Sequence, residues 1–382
     1  MSDQASIADL QQRLAALEPD ATPGQRARLL SQLATACARA GLPREGLDAV
    51  KDALRLTGAH GLLHEQAEAL NAASMCHYFR GDHMMAIASG LDAYQGFSRS
   101  GALVLMGHAL TTIAASCKEI GAVDLSVEAL EGCLNIASRS GDAFLEARSR
   151  NTLGIVLGES ERFDGAEQHL AIAMRCLESI GAVAYLPKVA VNLGAVFKKR
   201  AESAMGTGDE AGAERLLRRA VALLEKIPPM EGEASLFERA DQTIVLAEYY
   251  FLLREFGAAR EYANEALELG RKLKLSRVVI ESCLYLGRIQ LAGKELAGAE
   301  SSLKQVLDLA RAAELRDLQL LAHRYLADCY AAMGRSVDAE AQAATAADMS
   351  LANRAANQEA QREVRQLWEQ YFSRHPLIGP AS

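Results

Sequence analysis

Three stretches of this 382-residue chain bring together residue types that could do chemistry. His60 and His64 stand four apart, which on one helix places two imidazoles on the same face, as in a helical metal pair. A third ligand at matching spacing is missing. Gly287 to Lys294 ends in Gly-Lys, as a phosphate-cradling loop does. The gap after its first glycine is five residues rather than four, and Glu295 stands where a Ser or Thr would bind Mg²⁺. Ser301-Ser302-Leu303-Lys304 has the order of an acylating serine and its lysine, without the companion motifs. The seven cysteines (Cys37, Cys76, Cys117, Cys133, Cys176, Cys283 and Cys329) are odd in number, and no pair has CxxC spacing. They read as buried thiols of a reducing compartment. With no carboxylate pair or nucleophile–base set above background, the expectation is a protein without catalysis, metal or cofactor.

Composition narrows the class further. Lys plus Arg number 41 and Asp plus Glu 49, a net charge of −8, so a phosphate backbone would be repelled and nucleic acid is not an expected partner. Met1 to Asp20 lacks the basic start and apolar core of a signal peptide. No apolar run approaches the length of about 18 residues that spans a membrane. The expected location is the cytoplasm. Half the residues are hydrophobic yet only 5% are aromatic and 8 are Pro, which favours a helical chain rich in Ala and Leu over a β-sandwich or propeller.

The elements that would position any site follow from a repeat. A small residue recurs at Ala34, Ser74, Ala114, Gly154, Gly194, Ala247, Gly287 and Ala327, in steps of 40 except for one of 53. An apolar residue precedes each anchor: Leu33, Ala73, Ile113, Leu153, Leu193, Leu246, Leu286 and Leu326. Twelve residues after the anchor come Gly46, Ala86, Ser126, Ala166, Ala259, Ala299 and Ala339, and seven further on Ala53, Ala93, Cys133, Ala173, Ala266, Val306 and Ala346. Small columns in register let paired helices approach closely while larger neighbours interdigitate. Each unit is therefore expected to be two amphipathic helices joined by a tight turn. Gly41, Gly81, Gly121 and Gly334 stand seven after the anchor and can take the left-handed conformation that ends a helix. Glu161, Arg254 and Lys294 occupy that place elsewhere and are expected to make the turn differently. A period in this range means a stacked array whose core is linear.

The fifth unit departs from the pattern. Its second-helix alanine falls at Ala213, seven residues late, so residues 198–207 are expected to lengthen the first helix by about two turns. A second insertion lies near residues 227–236, around Pro228-Pro229. At the N-terminus, Ile7, Leu10, Leu14 and Leu17 make a capping stripe within residues 1–22, and Thr22-Pro23 is a helix start. At the other end, Val364, Leu367, Trp368, Tyr371 and Phe372 form a stripe within residues 351–382 before His375-Pro376. Covering the exposed face of the last unit is the plainer role for that helix, and self-association the sharper one.

The pattern resembles the tetratricopeptide-repeat family. Leu153-Gly154, Ala166 and Ala173 match its Leu-Gly, Ala and Ala positions, as do Leu326-Ala327, Tyr330, Gly334, Ala339 and Ala346. The resemblance covers residues 23–350. It departs from the commonest form in its period, 40 against about 34, and in lacking the closing Pro. Longer units of this kind are similar to those of kinesin light chains, bacterial peptide-receptor regulators and sensor arms of transcriptional activators. HEAT and armadillo arrays share the period but not the Leu–small pair. The fold implied is an all-α, right-handed superhelical solenoid of eight helix pairs with a capping helix at each end.

The resemblance also implies where a ligand lies. In that family the first helices line the concave face through residues six, three and two before the anchor and one after it. Carried onto this sequence, these columns contain Glu68, His108, Arg148, Lys188 and Asp241; Ser31, Asn71, Thr111, Asn151 and Val191; and Thr112, Thr152 and Asn192, with Lys118 and Lys198 four after the anchor. The expected peptide-binding set is Asn71, His108, Thr111, Lys118, Arg148, Asn151, Lys188, Asn192 and Lys198. Amides and hydroxyls there would bond a peptide backbone, and the cations its carboxylates. An apolar patch of Phe251, Leu252, Tyr285 and Tyr325 is a second candidate. The function expected is a scaffold or adaptor for a polar or acidic segment of a protein or peptide partner. The alternative is a signalling regulator whose superhelix changes pitch when a small peptide binds. About 22 residues precede the repeats and about 30 follow them, which reads as too few for an appended DNA-binding or catalytic segment.

Overall fold

The computed structural model describes residues 7–18, 21–227, 233–373 and 377. The protein is all-α, and no strand occurs among the described residues. The helices are α1 (Ile7–Ala15), α2 (Pro23–Arg39), α3 (Pro43–His60), α4 (Leu63–Arg80), α5 (His83–Ser100), α6 (Leu103–Glu119), α7 (Val123–Ser140), α8 (Ala143–Glu159) and α9 (Phe163–Ser179). A 3₁₀ turn at Val183–Tyr185 leads into α10 (Leu186–Gly206), followed by α11 (Glu210–Glu225), α12 (Glu233–Leu252), α13 (Phe256–Lys272), α14 (Ser276–Ala292), α15 (Leu296–Ala312), α16 (Arg316–Ala332) and α17 (Ser336–Phe372). From α2 onward these are the eight expected first-and-second helix pairs. Residues 1–160, 175–180 and 357–382 form one compact unit and residues 161–174 and 181–356 another.

The small columns are buried contact surfaces in most of the pairs, whereas Ala327 and Ala339 of the eighth are half-buried. Ala34, Ser74, Ala114 and Ala247 are fully buried, as are Ala86, Ser126, Ala166, Ala213, Ala259 and Ala299 twelve or, in the fifth unit, nineteen residues on. Two hydroxyls tie the columns together: Ser74 Oγ donates to the Ala86 carbonyl at 2.7 Å and Ser126 Oγ to the Ala114 carbonyl at 2.8 Å. Space at these crossings is tight. A Cβ at Gly46 would stand 2.8 Å from the Ala34 carbonyl oxygen and 2.7 Å from Cys76 Sγ. Successive first helices pack directly on one another, α2 on α4, α4 on α6 and α6 on α8 in the first unit, and α10 on α12, α12 on α14 and α14 on α16 in the second.

Turn geometry corrects one expectation. Glu161, Arg254 and Lys294 do not make the turn differently: their φ values are 61°, 61° and 62°, in the same left-handed region as Gly41, Gly81 and Gly121. A second left-handed column ends the second helices, at Gly61, Gly101, Gly141, Gly181, Lys274 and Glu314. Glycine and non-glycine turns can close with the same hydrogen bonds. Asp82 N–H reaches the His77 carbonyl and Gly81 N–H the Tyr78 carbonyl, and Glu295 and Lys294 repeat both bonds to Gln290 and Leu291. This is the Schellman closure, which satisfies carbonyls that the helix end leaves open.

α10 ends twelve residues past its anchor where α6 ends five past, and Gly208, φ 82°, takes the turn that follows. Ala213 and Ala220 return to full burial, so the register resumes seven residues late. Residues 228–232 of the second insertion lie outside the described residues.

At the N-terminus the helix start is a capping box: Thr22 Oγ1 accepts from Gln25 N–H at 3.2 Å, and Gln25 Oε1 accepts from Thr22 N–H at 3.0 Å. Helix α1 buries Leu10 and packs on α2. The C-terminal expectation needs revision. No boundary falls at 350, because α17 runs unbroken from Ser336 to Phe372. Its residues from 357 on belong to the first unit and contact second helices α5 and α7. Tyr371 Oη donates to the Leu91 carbonyl at 2.7 Å, Gln361 Nε2 to the Ile120 carbonyl at 2.8 Å, and Arg365 pairs with Asp124 at 2.6 Å. Val364 and Trp368 are buried, and the Phe372 ring lies 4.4 Å from Trp368 and 5.9 Å from Tyr94. The stripe thus serves packing within the first unit. His375-Pro376 lies outside the described residues.

Candidate functional site

In the first unit, α4, α6 and α8 carry the polar columns. His108 Nδ1 and Arg148 Nη1, one repeat apart, meet at 3.0 Å. Burial, and after it the Arg148 charge, holds the His108 pKa down to about 4, so the ring is neutral and accepts from the guanidinium at neutral pH. Lys118 Nζ lies 2.7 Å from Glu119 and 3.2 Å from Glu159. Burial works against the Lys118 charge, but the two carboxylates outweigh it and raise its pKa. Thr111 is buried and its hydroxyl donates to the Gly107 carbonyl of its own helix at 2.8 Å, as Thr152 does to Arg148 at 3.1 Å. Asn151 is half-buried. Asn71 Oδ1 and Glu68 Oε2 on α4 are buried atoms without a hydrogen-bond partner.

In the second unit the first-helix face runs over α10, α12, α14 and α16. Lys188 is exposed and Asn192 half-buried. Burial raises the pKa of Glu238 and of Asp241, and Lys188 opposes that rise in both. Lys198 pairs with Glu248 at 3.0 Å and Glu202 at 3.8 Å, which outweigh the burial of its ammonium and raise its pKa. Arg277 pairs with Glu281 at 2.8 Å and with Asp317 on α16. The basic character read from the columns is thereby reduced: one member is neutral, and two others are matched by carboxylates.

Phe251, Leu252, Tyr285 and Tyr325 do not form an open apolar surface. All four are half-buried, and Leu252 packs against the core of α10–α12. The three rings instead surround a cation. The Arg288 guanidinium carbon lies 4.3 Å from the Phe251 ring centre, 4.6 Å from that of Tyr325 and 5.1 Å from that of Tyr285. Tyr285 is hydrogen-bonded to Glu248, and burial pushes its phenol well above the usual range. Arg288 and Glu248 are the functional-type residues that the sequence reading passed over. Both stand one after an anchor, Gly287 and Ala247, in a column it had assigned to the inner face, so the register was the available signal.

The thiols are placed as core. Six of the seven cysteines are buried and Cys176 is partly so, all unbridged, and burial pushes Cys76 and Cys117 up to about 12. No group of three His, Cys, Asp or Glu able to hold a metal occurs among the described residues, and no described helix is long and apolar enough to cross a membrane.

Paired helices with buried small columns and polar first-helix faces define a tetratricopeptide-type helical-repeat fold. Solved structures share it over most of the chain. A Rap protein complexed with competence and sporulation factor aligns over 91% of this chain and 91% of its own, with TM-score 0.61 and 12% identity. The Rap conjugation gene regulator of the plasmid pLS20, in complex with the Phr* peptide, aligns over 93% and 96%, with TM-score 0.58 and 14% identity. Aspartyl phosphate phosphatase F from Bacillus subtilis aligns over 90% and 88%, with TM-score 0.54 and 13% identity. No protein-family model and no curated protein matches the sequence.

Proposed function

We propose that this protein is a peptide-binding regulator or adaptor, without catalytic activity of its own, that acts in the cytoplasm through its first-helix faces. The observation that carries the reading is the placement of unsatisfied polar atoms. Glu68 Oε2, Asn71 Oδ1, Glu238 Oε2 and Arg288 Nε, all on first helices, are buried without partners, as are His83 Nδ1 and Trp368 Nε1 on second helices. A buried polar atom left unpaired costs about 1–3 kcal/mol, so a ligand offering backbone N–H and carboxylate groups would be favoured there. The shared fold with a regulator solved in complex with the Phr* peptide supports the same reading and favours the regulator over a passive scaffold. The test treats the units separately. Arg148→Glu in the first and Lys188→Glu in the second reverse one charge each, and stability should change by about 0.5 kcal/mol or less at Lys188, which is exposed. Peptides eluted from the wild-type protein should lose affinity for at least one variant, with weaker salt dependence. Unchanged capture by both would sink the proposal. Compaction on peptide addition, measured by solution scattering, separates regulator from scaffold.

A further inference from the structure

Arg288 differs from the cations around it in what it lacks. Lys198 has Glu248 and Glu202, and Arg277 has Glu281 and Asp317. Arg288 has no carboxylate within ion-pairing distance among the described residues, and its Nε is buried with no acceptor. The nearby carboxylate, Glu248, is already held by the Lys198 ammonium at 3.0 Å and by the Tyr285 hydroxyl. Three rings from three successive first helices, Phe251 of α12, Tyr285 of α14 and Tyr325 of α16, lie within 5.1 Å of the guanidinium carbon.

A guanidinium has two chemically distinct surfaces. Its flat faces are weakly hydrated and stack on aromatic rings, whereas all five N–H donors point outward in its plane. Ring contacts therefore hold the group in place without using a single donor. A planar fork fixed in this way, with water partly excluded and its donors unpaired, matches a carboxylate that accepts two parallel hydrogen bonds. The rings add a wall for an apolar side chain next to that carboxylate. The side chain is also pre-organised, so little rotamer freedom remains to be lost when a ligand binds.

We propose that Arg288, walled by Phe251, Tyr285 and Tyr325, is a carboxylate-binding subsite for a peptide ligand in the second unit. This rests on the peptide-binding reading and specifies one contact of it. The carboxylate comes from the peptide's C-terminus or from an Asp or Glu side chain, and both present the same two oxygens.

The test uses the full chain and three synthetic hexapeptide pools. The first has free C-termini and no Asp or Glu, the second is amidated and contains Asp and Glu, and the third is amidated without acidic residues. Retention of each pool is measured by mass spectrometry on the wild-type protein, Arg288→Met and Arg288→Lys. Arg288→Met keeps an unbranched stem among the rings, and thermal unfolding checks that each variant is folded. A charge-assisted bidentate pair predicts that the wild type retains one carboxylate pool about 10-fold or more over the neutral pool. Arg288→Met should abolish that preference while still holding the neutral pool, and Arg288→Lys should restore part of it. Whichever pool is enriched identifies the source of the carboxylate. Neutral and acidic pools held equally by the wild type, or a preference that survives in Arg288→Met, would overturn the subsite while leaving peptide binding in place. Failure of the wild type to retain any pool would overturn both.

Discussion

The two units build the same turn from different residues. In the first, the left-handed residues that end the helices are all glycine: Gly41, Gly61, Gly81, Gly101, Gly121 and Gly141. In the second, Glu161, Arg254, Lys274, Lys294 and Glu314 take the same conformation beside Gly181, Gly208 and Gly334. A residue with a Cβ pays about 1–2 kcal/mol for that backbone geometry. That five non-glycine residues nevertheless adopt it shows what sets the turn. Burial of the small columns on both sides fixes where each helix must stop, and the local residue only decides how much strain accompanies the stop.

The units differ also in the reach of their contacts. Within the second, Lys198 and Glu248, 50 residues apart, are among the more distant partners. The first includes Tyr371 against Leu91, 280 residues apart, and Gln361 against Ile120, 241 apart. One unit holds together through neighbouring repeats, while the other also depends on a segment from the far end of the chain.

The sharpest way to break this contrast is Trp368→Ala. Trp368 is buried against Phe372 in the segment that contacts α5 and α7, and removing such a side chain costs about 3–5 kcal/mol. Hydrogen exchange should accelerate in α5 and α7 and remain near wild type in α14 and α15. Equal acceleration everywhere would show that the two units do not differ in this dependence.

A smaller effect is expected from exchanging turn residues. Lys294→Gly should raise stability by about 1 kcal/mol, since it relieves a φ of 62° and leaves the Schellman bonds in place, and Gly81→Lys should lower it by a similar amount. Denaturant midpoints at constant slope would check both. A neutral result at either position would mean that neighbouring side chains compensate for the backbone strain.

The smallest effect concerns pH. His108 titrates near 6.5 when free and is held down to about 4 in the folded chain. Between those values the unfolded chain takes up a proton that the folded one excludes. The stabilising contribution is therefore complete above pH 6.5 and is lost as the pH falls toward 4. Asp241 and Glu281 in the second unit, raised by burial, have the opposite sign. His108→Gln should flatten the loss of stability between pH 7 and pH 4.5 relative to wild type. Parallel curves would mean that the imidazole is not excluded from protonation there.

The sequence by itself determined the eight helix pairs, the anchor columns and the helix start at Thr22-Pro23. Each depends on residue size or hydrogen-bonding type at a local, periodic position, and close helix packing tolerates few alternatives there. It did not reveal that Glu161, Arg254 and Lys294 turn as glycine does, because packing on both sides outweighs local propensity. The charge of the candidate faces was also beyond its reach. Arg148, Lys118 and Lys198 count as cations in a column, but their effect depends on His108, Glu159 and Glu248, which only folding brings alongside. The same is true of Arg288: its column was legible, whereas the three rings and the lack of a paired carboxylate among the described residues are facts of the assembled helices. The place of Trp368 likewise belongs to the tertiary structure. An amphipathic stripe states that a helix must be covered, and only the contacts with α5 and α7 decide by what.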